Sequence, residues 1–242
     1  MRFLGHQRLP PEVREIVAEA GAENCFYWSG RGPVQKPSVG LATPRMTNLV
    51  PGASLTVTAG ATSEQAISAN GSIDFQGDDF YDLSYSGLTD EVTVALLIKR
   101  DVAGGDNFYF LEGRDSSVTQ QIRVISNGEN SIRWQIRDSD SVTGRLTATV
   151  NMLSAQAVVA TMSLTDDFVR LFTSSGRLED NAVGFTGEID IAAGSMKVGS
   201  AFAGTVPWDG KVFESFVAFG HAISNSRAIA LRDCLASRQG VA

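Results

Sequence analysis

Between about residue 72 and residue 220, apolar residues fall in short runs separated by Gly, Asp, Asn and Ser, and the mixed runs alternate with a period of two. This pattern predicts strands at Ser72-Ile73-Asp74-Phe75, at Phe108 to Leu111, at Ala157 to Leu164, at Phe168 to Thr173, at Met196 to Val198 and at Lys211 to Phe219. Val92 to Ile98 is nearly continuous in apolar residues, as expected of a central strand. Gln121 to Ile125 and Ile132 to Arg137 flank Ser126-Asn127-Gly128-Glu129-Asn130 and predict an antiparallel hairpin. With the loop running from Ser126 to Asn130, Ile125 pairs with Ser131, Arg123 opposes Arg133 and Gln121 opposes Gln135.

Two stretches change period. Pro10 and Pro11 precede Glu12 to Ala20, and Gly21 follows; Val13, Ile16, Val17 and Ala20 share one helical face. That face packs on the chain's own sandwich or serves docking and oligomerisation. A second helix is predicted from about Ser226 to Ala236, capped by Ser224, with Ala228, Leu231 and Leu235 on one side. From Gly30 to Gly60 the chain is rich in Gly, Pro, Ser and Thr and reads as an extended, irregular arm. The boundary is therefore set near residue 53: residues 1–52 as helix and arm, 53–242 as a β-sandwich domain.

Composition narrows the functional classes. The 242 residues are 43% hydrophobic and 19% charged, which suits a chain that buries a core. A net charge of −7 argues against a nucleic-acid surface, which needs clustered Lys and Arg. The N-terminal Met1 to Arg8 lacks the apolar run of a signal peptide, and no window is long and apolar enough for a helical membrane span, so a soluble chain made in the cytoplasm is expected. With two Cys, Cys25 and Cys234, far apart and only two His, a zinc site is not expected. Reduced thiols are the expectation, with a Cys25–Cys234 bridge as the alternative.

Ser72 to Asp79, Val92 to Lys99, the paired runs Val158 to Asp167 and Val169 to Gly176, Met196-Lys197-Val198-Gly199, and Trp208 to Ser224 together resemble the laminin-G-like members of the concanavalin A-like jelly rolls. The resemblance spans roughly residues 70 to 235 and implies an all-β antiparallel sandwich closed by the strand after Trp208. The Trp-His that members carry before the strand at Ala157 is absent, and Ser175-Gly176 stands where many have Asp-Gly. Calcium, which such domains often bind at edge loops, makes Asp78, Asp79 and Asp106 candidate ligands, with Asp82, Asp166 and Asp167 behind them. Acids in turns also serve simply to bond the local backbone.

Glu188-Ile189-Asp190-Ile191-Ala192-Ala193 looks like the paired-carboxylate signature of jelly-roll glycoside hydrolases, but Ala193 stands where the third acid belongs. A retaining hydrolase needs both a nucleophile and a general acid, so no enzyme is expected. The hairpin is more informative. Alternation puts Ile122, Val124, Ile132, Trp134 and Ile136 on its core face and Gln121, Arg123, Arg133, Gln135 and Arg137 on the other. Planar, multidonor side chains on a sheet face suit a polar or anionic glycan.

The expectation is thus a non-enzymatic carbohydrate-recognition or attachment protein. Its architecture resembles the spike, fibre or decoration proteins of phage-like particles, which implies a homo-oligomer on a virion surface that contacts other particle proteins through the N-terminal helix and arm. The alternatives are a purely structural assembly component, cytoplasmic or particle-borne, and a glycoside hydrolase completed by a carboxylate from elsewhere.

Overall fold

The apolar run at residues 92–98 is continuous because both of its faces are covered. In the computed structural model, which describes residues 9–30, 46–59, 71–76, 80–103, 107–117, 119–200 and 208–238, this run lies inside a strand. Its Val92, Val94, Leu96 and Ile98 enter the interior between two sheets, while Ala95 and Leu97 face a second apolar layer shared with two helices.

The elements run in order α1 (Pro11–Ala20), β1 (Cys25–Ser29), β2 (Val57–Ala59), β3 (Ile73–Gln76), β4 (Tyr81–Leu83), β5 (Gly87–Leu88) and β6 (Glu91–Arg100). After them come β7 (Asn107–Arg114), β8 (Gln121–Asn127), β9 (Ser131–Arg137), β10 (Thr143–Thr149), β11 (Gln156–Ser163) and β12 (Phe168–Thr173). The last are β13 (Gly176–Asp180), β14 (Asp190–Ile191), β15 (Met196–Val198), β16 (Asp209–Phe219) and α2 (Asn225–Arg238). One sheet has the order β1-β16-β6-β11-β12-β13, with β3 also beside β16; the other has β10-β9-β8-β7-β15-β4-β2, and β5 pairs with β14. The paired strands are antiparallel. The fold is an antiparallel jelly-roll β-sandwich with a helix near each end, as the sequence predicts.

Strand β16 closes the first sheet with one irregularity. Its register against β6 shifts between Val212 and Glu214, so Phe213 is an extra residue. The bulge resets the alternation: Val212, Val217 and Phe219 enter the sandwich core, while Phe213, Phe216 and Ala218 join the helix-side layer. Trp208 is buried in the sandwich core, whereas Phe213 packs beneath the helices.

The N-terminal segment is woven into this packing. Strand β1 pairs with β16 from Cys25 opposite Ala218 to Ser29 opposite Glu214, with Phe26 and Trp28 in the core and Cys25 and Tyr27 toward the helices. Val13 and Ile16 of α1 bury with Leu231 and Leu235 of α2, so the apolar face of α1 covers the sandwich's own sheet. The Tyr27 hydroxyl donates to Glu214 at 2.8 Å and Arg238 donates to it at 2.7 Å, joining β1, β16 and α2 through one buried carboxylate. The boundary expected at residue 53 therefore leaves β1, a strand of the first sheet, on its far side. Residues 31–45 of the expected arm lie outside the described residues.

Candidate functional site

The two outer sheet faces differ. That of the β1-containing sheet is buried under α1 and α2. That of the β10-containing sheet carries polar side chains, because β8 and β9 alternate as the sequence requires: Ile122, Val124, Ile132, Trp134 and Ile136 are fully buried, and Arg123, Arg133, Gln135 and Arg137 are only partly so. The five side chains expected on one face do share it.

Their pairing is not the expected one. Arg123 lies opposite Gln135, Gln121 opposite Arg137 and Ile125 opposite Arg133, a shift of two residues from the predicted register. An even shift keeps every side chain on its face. It also avoids the like-charge pair Arg123–Arg133, which would have been destabilising. Gly128, at φ 71°, takes the left-handed turn conformation that the observed hairpin loop requires. Arg133 now sits beside Thr147, donating to its hydroxyl at 3.4 Å, and is separated from the group formed by the other four.

Charge along this face follows the register. One row across the sheet reads Asp82, Lys197, Glu112, Arg123, Gln135, Arg145 from β4 to β10. Lys197 bonds Asp82, and Glu112 receives Arg123 through both its Nε, at 2.7 Å, and its Nη2, at 2.6 Å. Acids therefore neutralise the row up to β8, and none follows on β9 or β10. The next row holds Arg114, Gln121, Arg137 and Thr143. Burial, working against the nearby Glu112 carboxylate, pulls the Arg114 guanidinium below its ordinary value.

At the cationic end lies a solvent-open cleft of about 640 Å³. Gln121, Arg123, Gln135 and Arg137 line it, joined by Thr143 and Arg145 of β10 and by Asp180 at the end of β13, which belongs to the opposite sheet. Among the described residues, neither Arg137 nor Arg145 is in an ion pair; Arg137 donates to Ser141 Oγ at 3.1 Å. The turn that presents both is held by Asp138, fully buried, which accepts the N–H groups of Val142 at 2.8 Å, Thr186 at 3.1 Å and Gly187 at 2.9 Å. Gly144 lets β10 lie close over β12: an added Cβ would sit 2.7 Å from Val169 Cγ1.

The sequence pattern does not predict β10 or β13, and so it misses Thr143, Arg145 and Asp180. Thr143, Arg145, Thr147 and Thr149 do alternate with Gly144, Leu146 and Ala148, which is the signal that would have found β10. Strand β13 is exposed at nearly every position and carries no such signal.

The other candidates fall elsewhere. Asp78, Asp79 and Asp106 lie outside the described residues, and among the described residues no group of three or more His, Cys, Asp or Glu is placed to hold a metal ion. Asp82 is ion-paired, and Asp167 accepts the N–H groups of Gly184 and Phe185, the local backbone role open to turn acids. Glu188 and Asp190 point outward on either side of buried Ile189 and do not line the cleft. Cys25 and Cys234 are free thiols.

Neither a protein-family model nor a curated protein matches the sequence. Solved structures match the fold. The CBM40 domain of the Ruminococcus gnavus IT-sialidase, bound to α2,3-sialyllactose, aligns with a TM-score of 0.52 at 16% identity, over 66% of this chain and 96% of that one. Domain 4 of AbnA, a GH43 extracellular arabinanase from Geobacillus stearothermophilus, in complex with arabinotriose, aligns with a TM-score of 0.54 at 14% identity, over 74% and 87%. The binding domain of Paraclostridial Mosquitocidal Protein 1 aligns with a TM-score of 0.64 at 8% identity over 90% of this chain, which spans 53% of that one. At these identities the shared feature is the fold.

Proposed function

We propose that this chain is a non-enzymatic carbohydrate-recognition domain whose ligand lies in the cleft on β8, β9 and β10. The observation that carries this reading is the convergence of Gln121, Arg123, Gln135, Arg137, Thr143 and Arg145 on one solvent-open cleft of about 640 Å³, on the sheet face that the helices leave uncovered. Guanidinium forks, carboxamides and a hydroxyl supply in-plane donors and acceptors at fixed spacing, which is what sugar hydroxyls need. Two solved structures that share the fold hold oligosaccharides, sialyllactose in one and arabinotriose in the other. A role without catalysis is supported by Glu188 and Asp190, the hydrolase-like pair, standing apart from the cleft.

A domain that binds glycan and leaves it intact serves attachment, and we extend the proposal to a spike, fibre or decoration component that holds a particle to a glycan-bearing surface. A glycan array with the purified protein, run with and without calcium, tests the reading. Binding that is lost in an Arg137→Ala/Arg145→Ala double variant with an unchanged unfolding midpoint supports it. No binding by the native protein, alongside a stable homo-oligomer, overturns it in favour of a structural assembly role.

A further inference from the structure

The charge in the cleft is small and countable. Among the lining residues, Arg123, Arg137 and Arg145 bring three positive charges and Asp180, on the opposite wall, one negative; Arg123 is bonded to Glu112 behind the lining, which leaves Arg137 and Arg145 against Asp180. One positive charge remains in excess. The chain as a whole carries −7, so the parts of a bound polyanion that reach past the cleft come within about 8 Å, the screening length at physiological salt, of a surface with excess negative charge.

The excess sits at one place. Arg137 is opposite Thr143, and Arg145 is opposite Gln135, so the two arginines are diagonal neighbours on one face, with backbone positions about 7–8 Å apart. Long guanidinium arms at that spacing reach a common point above the sheet. Arg123, one strand further in, is held back on Glu112. Asp180 reaches the same cleft from β13, and its carboxylate makes no ion pair among the described residues; its Oδ1 accepts the Ala182 N–H at 3.2 Å.

We infer that the occupant is a saccharide bearing a single anionic group, a carboxylate or one sulfate ester, held between Arg137 and Arg145, and that Asp180 determines specificity by excluding densely charged polyanions. This inference rests on the glycan reading of the same cleft. One anionic group matches the one uncompensated charge and gains charge-assisted, forked hydrogen bonds from the pair. A second anionic group on the same sugar would fall against the Asp180 carboxylate, and like charges brought together in a partly enclosed site are penalised. Gln121, Gln135 and Thr143 remain for the hydroxyls of the ring.

Titration calorimetry at physiological salt with lactose, 3′-sialyllactose, 3′-sulfolactose and heparin tests this on the full chain. Native protein is expected to bind at least one of the two monoanionic trisaccharide or disaccharide probes at least tenfold more tightly than lactose, and heparin no better than lactose. The carboxylate and sulfate probes tell the two sources apart. Asp180→Asn is expected to strengthen heparin binding about tenfold while changing the preferred monoanionic probe less than threefold. Arg145→Gln is expected to erase the preference over lactose. Because Asp180 and Arg145 are both exposed, unchanged unfolding midpoints should accompany both variants. Equal binding of lactose and the monoanionic probes overturns this inference and leaves the glycan reading standing, as does unchanged heparin binding by Asp180→Asn. Failure of all four probes, together with a blank glycan array, overturns both.

Discussion

The ion pair Glu112–Arg123 links the fold to the cleft, and replacing Glu112 with Gln measures what the link contributes. The side chains of Arg123 and Glu112 are 17% and 2% exposed, so this pair is shielded from water where most surface pairs are not. Removing one partner of a buried pair costs about 3–5 kcal/mol, because the other charge is left without its counterion. The remaining exposure of Arg123 and the acceptor oxygen that Gln retains bring the expected loss down to about 2–3 kcal/mol. For a chain of this size each kcal/mol moves the midpoint by about 2–4 °C, so Glu112→Gln should melt roughly 4–12 °C lower. Lys99→Gln is the matched control: its bridge to Asp101 is 34% and 26% exposed, Asp101 keeps Lys211 at 2.8 Å, and the change should cost less than about 0.5 kcal/mol. Calorimetric and urea unfolding of the two variants provide the comparison. A double replacement, Glu112→Met with Arg123→Met, should recover most of the loss, since two well-packed apolar chains avoid the desolvation that the ion pair must overcome. If Glu112→Gln proves as mild as Lys99→Gln, the pair behaves as a solvated surface bridge and the pairwise neutralisation of the charged row is not what fixes this face.

Asp138→Ala should leave the N–H groups of Val142, Thr186 and Gly187 without their acceptor, cost about 2–5 kcal/mol in urea unfolding, and weaken the glycan binding proposed for the cleft by loosening the turn that presents Arg137. Gly144→Val should press on Val169 and the Phe185 ring, destabilise the chain by about 1–3 kcal/mol and reduce affinity, because β10 carries Thr143 and Arg145; equal affinity would show that β10 is not part of the site. Burial pushes the Cys25 and Cys234 thiols up to about 12. Folded-state values above the unfolded thiol's mean that the stability they confer is complete below about pH 8.5 and is lost as pH rises toward 12, so urea midpoints should fall through this window and fall less in Cys25→Ala. A thiol reagent at pH 7 should label buried Cys25 only when the protein unfolds, and half-buried Cys234 more slowly than in the unfolded chain.

The sequence by itself determined the sandwich and the membership of its faces. Alternation with a period of two is a local property, so it places Ile122, Val124 and Trp134 inward and Arg123, Gln135 and Arg137 outward whatever strand lies beside them. The continuous run of β6 and the helical stripes at Val13–Ile16 and Leu231–Leu235 were legible for the same reason, since each must bury an apolar surface. What lies beside what was decided by the tertiary structure. The turn at Gly128 was legible, but the two-residue shift that puts Arg123 between Glu112 and Gln135 sets it beside residues of two other strands, which a single run of sequence does not reveal. The bulge at Phe213 redirected one aromatic toward the helices, and β1 joined a sheet whose remaining strands lie far along the chain. The cleft shows this most clearly: four of its seven lining residues were foreseen on one face, while Thr143 and Arg145 arrive from β10, whose alternation is muted by small residues, and Asp180 from β13, which is exposed at nearly every position. Side-chain direction is set by the backbone of one strand, but a binding site is set by the neighbours that the folded chain brings to it.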